Sequence, residues 1–295
     1  MEYAWRVVRT ISLSIAALSL GSRLSAEVLY DAATSTLPTA QGWSFLALPA
    51  LASESMEGGG ARLDTSVSGG IFAGWSRVSP VPLDRVKGYT LRLELQLLSE
   101  SHASTNRAGI SWIVLGSDKK GVELGFWTDR IWAQSDSPMF TQGEGVAMEW
   151  GTGWRELRLT VLGDRYGLAV DGTELLIGAV RDYTPFTGPI DPYETPNFLF
   201  LGDDTTSARG AVRFRRMELV ADPAMRPPLR VVGLVDGQLE LGWDGAAGVD
   251  GWKLETSAGS IDGPWELATG SPRIEAGEVR VRTATGPDAG WFRLR

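Results

Sequence analysis

The sequence predicts an all-β chain, with a large two-sheet sandwich followed by a small one. Three observations carry this. Between residues 154 and 178 apolar side chains alternate with polar ones in the period of two that marks a half-buried strand: Leu157, Leu159 and Val161 against Glu156, Arg158 and Thr160, then Tyr166, Leu168 and Val170. The pairs Gly163-Asp164 and Asp171-Gly172 join these runs into an antiparallel meander, because glycine tolerates positive φ and aspartate bonds its own backbone. Upstream of residue 225 no stretch carries a convincing helical stripe, and turn chemistry recurs between short apolar runs.

In chain order, the first element is an export signal over residues 1–26. Arg6 and Arg9 form a basic start, residues 11–20 an apolar core, and Leu24-Ser25-Ala26 a small-residue cleavage site, placed after Ala26. The apolar core is well short of the roughly 20 residues that a spanning helix needs, so no transmembrane anchor is expected after cleavage. The mature chain is expected outside the cytoplasm, secreted or at the envelope.

The run at 89–98 sets Leu91, Leu93, Leu95 and Leu97 on one face and Arg92, Glu94 and Gln96 on the other, as a strand with one wet face requires. Strands are predicted next at 109–116, 121–127 and 130–134, then the meander, then 198–202 and 210–220. In the last, the apolar phase Val212, Phe214 slips to Met217, Leu219 at Arg215-Arg216, which is what a β-bulge does to alternation. About a dozen strands over residues 27–221 suit two large packed sheets, of which the jelly roll is the common solution. Pro223, Pro227 and Pro228 mark residues 222–228 as a linker. Residues 229–295 hold six short apolar runs and predict a small sandwich of immunoglobulin or fibronectin type III kind, its core filled by Trp243 and Trp252.

Composition excludes several functions. The formal charge is 28 − 36 = −8, and it becomes 25 − 35 = −10 once Arg6, Arg9, Arg23 and Glu2 leave with the signal. That sign opposes nucleic acid and anionic membrane surfaces, whose binding depends on cationic patches. The absence of cysteine removes disulfides, thiolate zinc ligands and thiol nucleophiles, and the single histidine, His102, removes a multi-histidine metal site within one chain.

Several strings carry a family likeness: Ser99-Glu100-Ser101-His102, Arg107-Ala108-Gly109, Glu123-Leu124-Gly125-Phe126-Trp127, Ile131-Trp132-Ala133-Gln134, Arg181-Asp182-Tyr183, and DPYETPNFLFLGDDTTSARG from Asp191. With them, residues 27–221 resemble the concanavalin A-like lectin and laminin G-like superfamily, and within it the choice-of-anchor Y domain of bacterial exported proteins. The resemblance implies export and a shared concanavalin A-like jelly roll whose members differ in how they attach to the cell; it implies no activity. This chain shows no terminal anchor of its own. The strings PWELA and WFRLR resemble fibronectin-like modules at the ends of bacterial extracellular proteins.

Candidate ligand-binding residues are His102, Arg107, Glu123, Trp127, Trp132 and Gln134. A pyranose stacks its apolar face on an indole while its hydroxyls bond Asp, Gln and Arg side chains. By alternation Glu123, Gly125 and Trp127 share one strand face, and Gln134 sits on the same face as Trp132. The alternative is that both indoles pack in the core or at its rim. His102 offers a base near neutral pH for a polysaccharide lyase, against the alternative of a histidine that bonds its own loop. The Glu-x-Asp-x-x-Glu run of the superfamily's glucanases is absent, and no catalytic residue is assigned. Asp203 and Asp204 at a strand end are candidate ligands for calcium, a cation that takes several oxygen ligands, or else turn formers. The aromatic and proline-rich stretch around Tyr183, Phe186 and Tyr193 fits either a ligand-contacting loop or a cover for the sandwich. The expected partner is a carbohydrate or another cell-surface component, without catalysis. The rival readings are a His102-dependent lyase and an adhesive surface protein with no small ligand.

Overall fold

The computed structural model describes residues 26–220, 229–236, 238–244, 253–257, 264, 266–275, 278–284 and 291–294. The export signal ahead of Ala26, the linker at 222–228 and Trp252 lie outside the described residues. The larger part contains β1 (Ala26–Asp31), β2 (Ser44–Leu48), β3 (Ser55–Glu57), β4 (Gly60–Asp64), β5 (Phe72–Val78), β6 (Tyr89–His102), β7 (Ser111–Leu115), β8 (Gly121–Trp127), β9 (Arg130–Asp136), β10 (Met139–Ala147), β11 (Arg155–Leu162), β12 (Arg165–Val170), β13 (Thr173–Ala179), β14 (Phe198–Asp203) and β15 (Ala208–Val220). One antiparallel sheet runs β13-β12-β11-β6-β15-β4-β3, with β1 paired to the end of β15, and the other runs β10-β9-β8-β7-β14-β5-β2. The fold class is therefore all-β, two packed antiparallel sheets, as the alternation predicts.

The meander forms as expected. β11 pairs β12, which pairs β13, and the second turn holds Asp171 at φ 49° and Gly172 at φ 81°, a left-handed pair that glycine tolerates and aspartate reaches. The slip at Arg215 is a real irregularity: the register of β15 on β6 shifts between Phe214 and Arg216, so Phe214 and Met217 both face inward.

The core lies between the sheets. Leu91, Leu93 and Leu95 of β6 and Leu157, Leu159 and Val161 of β11 meet Trp112 and Val114 of β7, Leu124 and Phe126 of β8, and Leu199 and Leu201 of β14. Trp75 of β5 lies 5.0 Å from the Phe214 ring of the opposite sheet, and its indole N–H, directed out of this apolar layer, donates to Glu54 Oε2 at 2.7 Å.

A second set of strands forms its own small core: β16 (Arg230–Val235), β17 (Gln238–Asp244), β18 (Leu254–Ser257), β19 (Glu266–Leu267), β20 (Arg273–Glu275), β21 (Glu278–Ala284) and β22 (Trp291–Leu294). Their two sheets, β16-β17-β21-β20 and β19-β18-β22, meet through Leu239, Leu241, Trp243, Leu254, Val279 and Val281. Trp243 takes the core position expected of it.

The strict inward and outward parity on β6 yields a direct expectation. Leu93→Ala should destabilise the protein by about 2–5 kcal/mol and Arg92→Ala by under about 0.5 kcal/mol, read from urea unfolding midpoints at constant m-value. Equal effects at the two adjacent positions would refute the assigned faces.

Candidate functional site

The seven-stranded sheet has a second face, turned away from the core. Parity places Phe72, Gly74 and Ser76 of β5, Phe198 and Phe200 of β14, Ser111 and Ile113 of β7, Glu123 of β8 and Gln134 of β9 on it. The connection between β13 and β14, residues 181–197, folds back over this face. Tyr183 fastens it: its hydroxyl donates to the Gln134 carbonyl at 2.8 Å and accepts the Glu123 N–H at 3.3 Å. The β8/β9 ladder ends at Leu124 and Ala133, so the Tyr183 hydroxyl stands where the next rung would be. Phe140 stacks on Tyr183 with centroids 6.1 Å apart and meets Phe186 edge-on at 5.1 Å, which makes a small aromatic cluster separate from the main core.

Beside this cluster lies an open groove of about 590 Å³. Its floor and walls are apolar for most of their length, from Leu46 and Phe72 across Phe200 and Ile113 to Phe198, with Phe186, Pro189 and Ile190 from the connection above. Its polar end gathers Arg107, Glu123, Gln134 and Asp204.

Glu123 is almost wholly buried, at 2% exposure, and accepts the Tyr193 hydroxyl on Oε2 at 2.5 Å. Burial, and then the Asp204 carboxyl hydrogen-bonded beside it, hold its pKa well above the carboxylate range. Burial also raises Asp204, against the pull of Ser111, whose hydroxyl donates to its Oδ1 at 2.9 Å. Burial raises both acids, Glu123 the further of the two, and they titrate as a pair. Arg107 stands near both as a cation, and its Nη1 donates to the carbonyls of Asn106 and Phe140, each at 2.7 Å. Gln134, 3% exposed, donates through Nε2 to the Asn106 carbonyl at 3.2 Å, while its Oε1 is buried with no donor.

Of the six expected ligand-binding residues the structure brings Arg107, Glu123 and Gln134 together and leaves the other three beside the groove rather than in it. The His102 ring stacks on the Trp127 indole with centroids 3.9 Å apart and planes 9° apart, and its Nδ1 sits 3.0 Å from Glu100. Trp127 donates to the Arg107 carbonyl at 2.8 Å, so it acts on the groove through the backbone of that loop. Trp132 is fully buried and lies flat across β8, where Gly125 leaves room for it: a Cβ on Gly125 would come within 2.8 Å of the indole. The packing alternative therefore describes Trp132.

Asp204 belongs to the groove, and Asp203 does not. Consecutive residues of an extended strand face opposite ways, so Asp203 points between the sheets, where Thr65 Oγ1 lies 2.6 Å from its Oδ2. The two carboxyls do not converge on one ion, and no group of three acidic or histidine side chains suited to a metal occurs among the described residues. Sequence reasoning named the stretch around Tyr193 but missed Ser111 and the phenylalanine floor, although the outward parity of Phe198 and Phe200 was available to it.

No family model matches the chain, and no curated protein matches it. Among solved structures it is similar to a carbohydrate esterase from the Shiga toxin-encoding bacteriophage phi24B at 12% identity and a TM-score of 0.45, over 66% of this chain and 98% of that one. A protein of unknown function with a galectin-like fold from Bacillus subtilis follows at 9% identity and 0.44, over 66% and 96% of the two chains. The exoplasmic domain of VIP36, solved with Ca2+ and mannose bound, gives 13% and 0.39 over 67% and 90%. These likenesses are too distant to carry a function.

Burial pushes the Asp203 pKa from 3.8 up to about 8. The bonding agrees with a protonated acid. Thr65 has one hydroxyl hydrogen, and its Oγ1 faces both Asp203 Oδ2 and, at 3.1 Å, the Gly210 carbonyl; a proton on Asp203 satisfies both. The folded state then binds a proton between about pH 4 and pH 8 that the unfolded state has released, so this group subtracts stability progressively as pH rises through that window. Asp203→Asn, neutral throughout, should flatten the loss of unfolding free energy between pH 5 and pH 8 in urea titrations. An unchanged slope would show that Asp203 does not hold the proton.

Proposed function

We propose that this is an exported, noncatalytic binding protein whose larger sandwich recognises a carbohydrate or another cell-envelope component in the groove on the seven-stranded sheet. The observation that carries the reading is the polar end of that groove, where Gln134, in the lining with Glu123 and Asp204, has a buried oxygen without a donor. A buried acceptor left unpaired is unfavourable by about 1–3 kcal/mol, and a ligand hydroxyl would relieve it. The remaining walls come from a preformed sheet and an aromatic-clamped connection, as small-molecule sites usually do. In this reading residues 27–221 form the recognition module, residues 222–228 the linker and residues 229–295 a fibronectin-like spacer or docking module.

Export rests on the charge and apolar pattern of residues 1–26, and among the described residues no helix is long and apolar enough to cross a membrane. The calcium ligands expected from the sequence, Asp203 and Asp204, do not converge, since Asp203 bonds Thr65 between the sheets while Asp204 lines the groove. A lyase built on His102 finds less support, because that ring stacks on Trp127 with its Nδ1 on Glu100, outside the groove.

A glycan array followed by calorimetric titration of the hits tests the reading. Ser76→Phe, which fills the floor of the groove, should weaken the best hit at least about tenfold, whereas His102→Ala should leave it within about twofold. Binding that survives Ser76→Phe unchanged would remove the groove from recognition, and polysaccharide cleavage lost in His102→Ala would restore the lyase.

A further inference from the structure

The groove is two chemistries in one space, and this restricts its ligand further than the word carbohydrate does. One end gathers acceptors around a single cation, Arg107. Gln134 Oε1 lacks a donor, Asp204 turns its carboxyl outward, and Glu123 has already taken the Tyr193 hydroxyl. An anionic head group would meet two acids and a carbonyl oxygen there, beside an Arg107 cation that already faces both acids. A cationic one is not called for either, since the Arg107 guanidinium already stands beside both acids. What remains is a neutral group rich in donors, and hydroxyls are the plainest case.

The rest of the lining is mainly apolar, with Ser76, Asp191, Thr195 and Thr206 as its polar members. Leu46, Phe72, Phe198, Phe200 and Ile190 belong to its apolar part. Leu46 is 43% exposed at the edge strand β2, so the apolar trough opens to solvent there and does not close on a compact sugar. A plain oligosaccharide would leave its outer hydroxyls against these rings without partners, which is unfavourable by about 1–3 kcal/mol for each buried group. An apolar chain would instead remove those surfaces from water.

We infer that the groove takes an amphipathic glycoside, with its sugar hydroxyls donating to Gln134 Oε1 and Asp204 and its apolar aglycone lying on the phenylalanine floor toward Leu46. This rests on the carbohydrate reading of the same site and narrows it to glycolipid-like ligands. Trp127 and His102 then serve as a brace for the Arg107 loop, not as a stacking platform for sugar.

Isothermal titration of the whole chain with three probes decides the matter: octyl β-glucoside below its micellar concentration, methyl β-glucoside, and 1-octanol. Octyl glucoside should bind at one site at least about tenfold tighter than either of the others, because each part of the ligand meets its own end of the groove. Gln134→Leu should weaken octyl glucoside about tenfold and leave octanol unweakened. Ile190→Asp, in the surface connection, should weaken octyl glucoside and spare methyl glucoside, and it keeps the test alive should Gln134→Leu fail to fold. Methyl glucoside or a soluble oligosaccharide binding in the groove as tightly as octyl glucoside would overturn the amphipathic ligand and leave the carbohydrate reading standing. Octanol binding as tightly as octyl glucoside, or no binding of any glycoside, would overturn both.

Discussion

Neighbouring residues of an extended strand must point to opposite sides, and every functional feature of this chain depends on that constraint. β14 shows it most plainly. Leu199, Leu201 and Asp203 turn into the space between the sheets, while Phe198 and Phe200 turn outward, and Asp204, the first residue past the strand, lines the groove with them. Two adjacent aspartates thus meet different environments within one residue of chain. The inner one is sealed in the sandwich, where its charge cannot be solvated and a proton replaces it. The outer one is hydrogen-bonded to Glu123 and lines the groove. The apolar outer positions of the same strand are what convert a solvated sheet face into a floor for a ligand.

Much of the architecture is legible because alternation is a local signal. The meander at β11, β12 and β13, the leucine face of β6 and the phase slip at Arg215 all follow from residues read in order, since each depends on a strand and its immediate partner. β10 is not legible this way. Met139–Ala147 lacks alternation, its register on β9 shifts twice, and it lies at a sheet edge where packing asks little of its sequence. β2 and β3 are short edge strands and leave a similarly weak trace.

The site divides along the same line. Alternation places Glu123 and Trp127 on one face of β8, and the structure has them there. What alternation cannot supply is that Glu123 becomes buried, because the cover comes from residues 181–197, some sixty positions along the chain. Nor does it foresee that His102, from the opposite sheet, reaches Trp127 and occupies the indole face that a sugar would otherwise use. Trp132 is buried on the outer face of its sheet by the room a glycine leaves on the adjacent strand, a cross-strand fit that one strand read alone does not contain. Residue types were therefore a fair guide to what gathers on the sheet, and a poor guide to which of them stay accessible.

Tyr183 gives the fold a property beyond the shape of this groove. It attaches the covering segment to the backbone of β8 and β9, not to their side chains, and so makes few demands on what those strands carry. The interior leucines hold the sheets together without help from that segment. Rewriting the stretch between Tyr183 and Asn197 would reshape one wall of the cleft while the scaffold kept its interior intact. Recognition in this architecture can diverge rapidly among descendants that share a single, slowly changing frame.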